Sequence, residues 1–97
     1  MQPQTTTRSA AKLMKKKLLF PNQRVRQARL DAGFTQEQVA ERAGCDEQFI
    51  VFIEDGLIPF PRNLIQIGAA LGVNPAWLQF GEPWASRDLP PSYQRYV

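Results

Sequence analysis

Ninety-seven residues make one small folded unit with tails and leave no room for a second core. With no histidine, one cysteine, three serines and no carboxylates at metal-ligand spacing, the chain has no material for the usual catalytic triads or zinc sites, so it reads as a non-enzyme with no cofactor. The net charge of +3 conceals an asymmetry: residues 1–30 carry eight bases and no acid, while residues 31–97 carry four bases against nine acids, so the two parts should face different partners or each other.

No apolar run approaches the roughly 20 residues of a membrane-spanning helix. The longest near the N-terminus is LLF at 18–20, too short for a secretion signal. The lone Cys45 cannot form an internal disulfide, and a reducing, cytoplasmic setting is expected.

The opening MQPQTTTRS is polar and aperiodic and reads as a disordered arm. From Ser9 to about Phe20, AAKLMKKKLLF consists of good helix formers, with Leu13, Met14 and Leu18 near one face and the lysines beside them. Pro21 should end that helix. Asn22 is then expected to cap the next, in which Val25, Ala28, Arg29 and Ala32 recur at helical spacing until Gly33 stops it.

Thr35-Gln36-Glu37-Gln38 is a capping box, in which the threonine hydroxyl meets the third amide of the helix and Gln38 reaches back to the threonine amide. Val39, Ala40 and Ala43 form a small apolar face, and Gly44 ends the helix. Asp46 is expected to cap the following helix only two residues later, which makes the connection a tight helix-turn-helix corner. In that helix Ile50 and Ile53 centre the buried face, so Gln48, Val51, Phe52 and Asp55 should point outward, with Glu47 and Phe49 on the flanks, before Gly56 stops it.

Two prolines in LIPFP forbid a regular continuation. A fourth helix is expected from about Pro61 to Leu71, packing Leu64, Ile65, Ile67, Gly68 and Leu71 inward. Asn74-Pro75 supplies a cap and a proline at the first helical position for a short fifth helix to Phe80. The remainder has three prolines and no period, although Trp84, Tyr93 and Tyr96 give it side chains with which to dock.

From Val25 to Glu82, about three fifths of the chain, the sequence resembles the lambda-repressor-like, or Xre (Cro/C1), helix-turn-helix family. The resemblance rests on GFTQEQVAERAG and LGVNPAWL in combination. It implies an all-α fold of five helices, with the helix at 36–43 lying across a DNA backbone and that at 47–54 entering the major groove, usually as half of a homodimer on a two-fold operator. Gln36 matches the family glutamine that bonds a phosphate, and Glu54 a family glutamate that braces the corner. Trp77 matches an aromatic core position, and Cys45 stands where the family has a small apolar residue.

The second helix of the corner departs from the family. Members commonly have Ser or Asn where this chain has Val51, and Lys or Arg where it has Phe52. Residues 31–56 hold seven acids against Arg42 alone, a balance that repels phosphates unless compensated. One reading keeps double-stranded DNA as partner: Gln48 meets an adenine edge, Val51 and Phe52 meet thymine methyls, and the basic N-terminal segment supplies phosphate affinity. In another, Val51 and Phe52 form an apolar patch rimmed by acids that binds a protein, such as another regulator or a host factor. In a third, Phe52 folds onto the LIPF loop and nothing binds there.

Lys15, Lys16 and Lys17 are either an arm that contacts DNA or a cover for the acidic helix-turn-helix of the same or a partner molecule. Arg62 and Asn63, at the start of the fourth helix, suit a phosphate at a positive helix end. The expected organisation is thus a basic arm, part helical, over 1–20, a helix-turn-helix domain over 21–82 and an irregular tail over 83–97. The expected function is a dimeric, sequence-specific transcriptional regulator of Cro-like, controller or antitoxin type, complete without an effector domain. Its origin would be bacterial, phage or plasmid, and its place the nucleoid or a host cytoplasm.

Overall fold

The computed structural model describes residues 18, 20–59 and 61–96. The expected helix from Ser9 to Phe20, with Lys15, Lys16 and Lys17, therefore lies outside the described residues except at its end. Among these residues five helices follow one another: α1 Pro21–Ala32, α2 Gln36–Ala43, α3 Glu47–Glu54, α4 Leu64–Leu71 and α5 Pro75–Phe80. A 3-10 helix over Pro91–Tyr96 comes last.

Local chemistry sets most of the boundaries. Thr35 Oγ1 accepts from the Gln38 amide at 3.0 Å while the Thr35 amide donates to Gln38 Oε1 at 2.8 Å, so both halves of the capping box of α2 are made. Asn74 Oδ1 accepts from the Ala76 amide at 3.0 Å, with Pro75 in the first position of α5. At the end of α2, Gly44 adopts φ +76° and the Cys45 amide donates to Ala40 O at 2.9 Å, a closure that turns the chain sharply enough for α3 to begin at Glu47.

Three expected boundaries or orientations are corrected. Asn22 is not the cap of α1: Pro21 opens that helix, where its missing N–H costs nothing, and Phe20 is the N-cap residue, its amide donating to Gln23 Oε1 at 3.0 Å. Asn22 sits inside that first turn and donates from Nδ2 to Glu54 O at 3.3 Å. The fourth helix starts at Leu64, three residues later than expected, and Ile65 is exposed on it. Asp46 does hold the N-cap position of α3, but its carboxylate makes no capping hydrogen bond.

The core forms where the small faces of these helices meet. Val25, Val39, Ile50, Ile53, Ile67 and Leu78 are fully buried, one or two from each helix. α2 packs on α3 and α4, α1 on α3, α4 and α5, and α5 on α4. The chain beyond α5 is tied back by an antiparallel bridge between Val73 and Asp88, by Asn74 Nδ2 donating to Ser86 O at 2.9 Å, and by the 3-10 helix against α4. Trp84 nevertheless remains exposed.

Gly68 is where α4 and the turn into α5 approach most closely. A Cβ there would lie 2.8 Å from Val73 O and 2.8 Å from Pro75 Cγ. Gly68→Ala is therefore expected to lower stability by roughly 1–3 kcal/mol in urea denaturation, because overpacking against backbone outweighs alanine's better helix propensity. A variant as stable as the parent would contradict this close approach.

Candidate functional site

The corner formed by α2 and α3 is held by one buried carboxylate. Glu54, at the end of α3, is 5% exposed, and its side chain takes three hydrogen bonds. Arg29 of α1 donates from Nε to Oε2 at 2.6 Å and from Nη2 to Oε1 at 3.0 Å, and Gln36 of α2 donates from Nε2 to Oε1 at 3.1 Å. The remaining Arg29 nitrogen, Nη1, donates to Phe34 O at 3.0 Å, in the turn between α1 and α2. A bidentate guanidinium–carboxylate pair with a third donor fixes position as well as charge, so three helices share one anchor. The brace expected of Glu54 is present, and its partners are Arg29 and Gln36.

With that anchor at its C-terminal end, α3 turns Ile50 and Ile53 into the core. Glu47, Gln48, Phe52 and Asp55 are exposed, Phe52 at 38%, while Val51 is half-buried. Phe49, on the flank, packs partly against the core. The face brought to solvent thus carries one neutral hydrogen-bonding side chain, one aromatic ring and two carboxylates.

Gln36 stands in the first turn of α2, half-buried. Arg62 is exposed on the loop before α4 and, with Gly44, Cys45, Asp46, Phe49 and Asn63, lines a shallow cleft of about 440 Å³ beside the start of α3. Arg62 is thereby close to the corner between α2 and α3, some fifteen residues away in sequence. Cys45 is a free, half-buried thiol, and burial pushes its pKa up, which disfavours the reactive thiolate.

The bases read as one positive block at residues 1–30 do not act as one. Arg24 is 3% exposed and spends its guanidinium on carbonyls: Nε on Leu78 O at 2.9 Å, Nη2 on Gln79 O at 2.8 Å, and Nη1 on Leu18 O. Desolvation by burial lowers its pKa, yet a guanidinium stays charged. It thus neutralises the negative C-terminal end of α5 from inside the protein. Its spacing from Ala28 puts it on the inward stripe of α1, the one sequence signal that could have separated it from its neighbours.

Two further bases are also engaged internally. Arg42 lies 4.8 Å over the Phe34 ring and donates from Nε to Ala70 O at 3.2 Å. Arg87 lies 4.9 Å over the Trp77 ring and pairs with Asp31 at 3.0 Å. Arg26 remains exposed on α1.

Two short helices at a tight glycine corner, with the second one presenting an exposed polar and aromatic face, define a helix-turn-helix protein. The helix-turn-helix family model matches residues 25–78, more than half of the chain, and the chain belongs to that family, in its lambda-repressor-like (Xre) branch. Over 59 residues it is 44% identical to the HTH-type transcriptional regulator PrtR of Pseudomonas aeruginosa. That match takes in 61% of this chain and 23% of the relative, so the chain corresponds to a minor part of that protein's length.

Proposed function

We propose that the chain is a sequence-specific, DNA-binding transcriptional regulator of repressor or Cro-like type, acting as a homodimer in the cytoplasm, with α3 in the major groove. The observation that carries this is the exposed face of α3, held rigidly at the corner by Arg29, Glu54 and Gln36. A groove-reading helix needs a few fixed side chains, and Gln48 and Phe52 have the chemistry for an adenine edge and a thymine methyl. Glu47 and Asp55 accept from exocyclic amines such as that of cytosine, and half-buried Val51 adds apolar contact.

Phosphate affinity comes from the periphery. Gln36 has a second amide hydrogen beyond the one given to Glu54, at the positive end of α2. Arg62 and the lysines Lys15, Lys16 and Lys17 supply the charge. No helix of the described residues is long and apolar enough to cross a membrane.

The test is a titration of labelled DNA from the chain's own promoter region against random DNA of equal length, at two salt concentrations. Gln48→Ala is expected to weaken specific binding by about 1–3 kcal/mol while leaving random-DNA binding nearly unchanged. Arg62→Ala should weaken both alike and reduce the salt slope by about one. Equal affinity for the two DNAs, unaltered by Gln48→Ala, would sink the groove reading.

A second reading has its own observation: Phe52, Glu47 and Asp55 are all exposed, with no base on α3. Such a face also suits a protein partner bound through Val51 and Phe52. In that case Phe52→Asp would release the partner while DNA binding stayed absent throughout.

A further inference from the structure

We infer that Glu54 is a positioning residue for DNA contact: it fixes the Gln36 side-chain amide so that a hydrogen-bond donor, and not the carbonyl oxygen, is offered to a backbone phosphate at the start of α2. The inference rests on the DNA-binding reading, and it concerns how the contact is prepared rather than whether DNA is bound.

Gln36 is the first residue of α2, half-buried, and its Nε2 donates to Glu54 Oε1 at 3.1 Å. That oxygen also accepts from Arg29 Nη2 at 3.0 Å, while Oε2 accepts from Arg29 Nε at 2.6 Å. A carboxylate bridged in this way only accepts, so of the two ends of the Gln36 amide it admits the nitrogen and rejects the oxygen. One hydrogen of that nitrogen is spent on Glu54, and the second is directed away from it. The flipped amide would set two acceptors face to face and place no donor where the second hydrogen now lies.

The anchor is itself held in place. The Glu54 side chain is 1% exposed, and the guanidinium that grips it also donates to Phe34 O, in the turn just before α2. So deeply buried a carboxylate does not touch DNA; it acts through Gln36. A glutamine on an open surface samples several rotamers and both amide orientations, and loses that freedom when a phosphate binds it. Here folding has already removed it, so the phosphate meets a donor in position.

The test titrates the full chain against promoter DNA carrying one uncharged methylphosphonate at a time. For the parent, neutralising the phosphate that meets Gln36 should weaken binding roughly tenfold, and for Gln36→Leu less than about twofold, which identifies that phosphate. Glu54→Gln, whose new amide invites the oxygen of Gln36, should resemble Gln36→Leu. So should Arg29→Met/Glu54→Leu, which removes both charges and serves if Glu54→Gln does not fold. Gly68→Ala, destabilised in the turn between α4 and α5 instead, should keep the phosphate effect in full, which separates positioning from loss of stability. Full phosphate sensitivity in the Glu54 variants overturns the inference, as does the absence of any phosphate that answers to Gln36. A parent that binds no unmodified promoter DNA is a failure of the DNA-binding reading itself and takes the inference with it.

Discussion

Arg29→Ala is expected to lower the unfolding free energy by about 3–5 kcal/mol, a large part of the roughly 5–15 kcal/mol that holds a small domain together. The cost arises because the Glu54 side chain, 1% exposed, would keep its charge in the interior with only Gln36 as a donor. The Phe34 carbonyl would lose its partner in the same step. Urea denaturation checks this directly: the midpoint should fall while the slope stays constant.

A double variant separates pair from position. Arg29→Met with Glu54→Leu removes both charges and should recover most of the loss, since apolar pairs of similar volume often replace a buried ion pair without penalty. The double variant should still bind promoter DNA less well, because neither methionine nor leucine bonds Gln36 or the α1–α2 turn. A loss below about 1 kcal/mol for Arg29→Ala would mean that the pair does not anchor the corner.

Arg24→Met is the second large effect, expected at roughly 2–4 kcal/mol. Methionine fills much of the volume but leaves the carbonyls of Leu18, Leu78 and Gln79 without their donor. Removing a desolvated charge offsets part of that cost, which is why the figure is below the sum of three orphaned groups. The loss should be local as well as global: hydrogen exchange should quicken at the C-terminal amides of α5 beyond the change in α2 and α4. Gly81→Ala gives an independent check, because a Cβ there would lie 2.8 Å from Arg24 Nη1 at a backbone φ of +75°. Uniform protection loss would count against a local clasp.

Some of this was legible in the residues. The capping box at Thr35 and Gln38 and the Asn74-Pro75 start of α5 are contacts made within three residues, so the local chain contains both partners. The misplaced start of α1 shows the limit even there. Asn22 suits a cap by residue type, but its side chain docks on Glu54 and Arg24 docks on α5, and α1 begins one residue earlier, at Pro21. Asp46 is right for an N-cap by residue type, yet its carboxylate is not used as one.

For the site, helical periodicity correctly turned Ile50 and Ile53 inward and Gln48, Phe52 and Asp55 outward. It overstated Val51, because a face drawn from angle alone takes no account of how deeply α3 sits against its neighbours. Ile65 was misjudged in the opposite direction for the same reason, its apolar side chain being left exposed on α4.

The sequence by itself determined the helix-turn-helix class, the caps and stops of α2 and α5, and the acid-rich character of α3 and its flanks, because these depend on neighbours within a turn or two. Only the tertiary structure decided which charges remain free for a partner. Arg24, Arg29 and Arg87 bond partners 54, 25 and 56 residues away, and no local pattern records a pairing of that range.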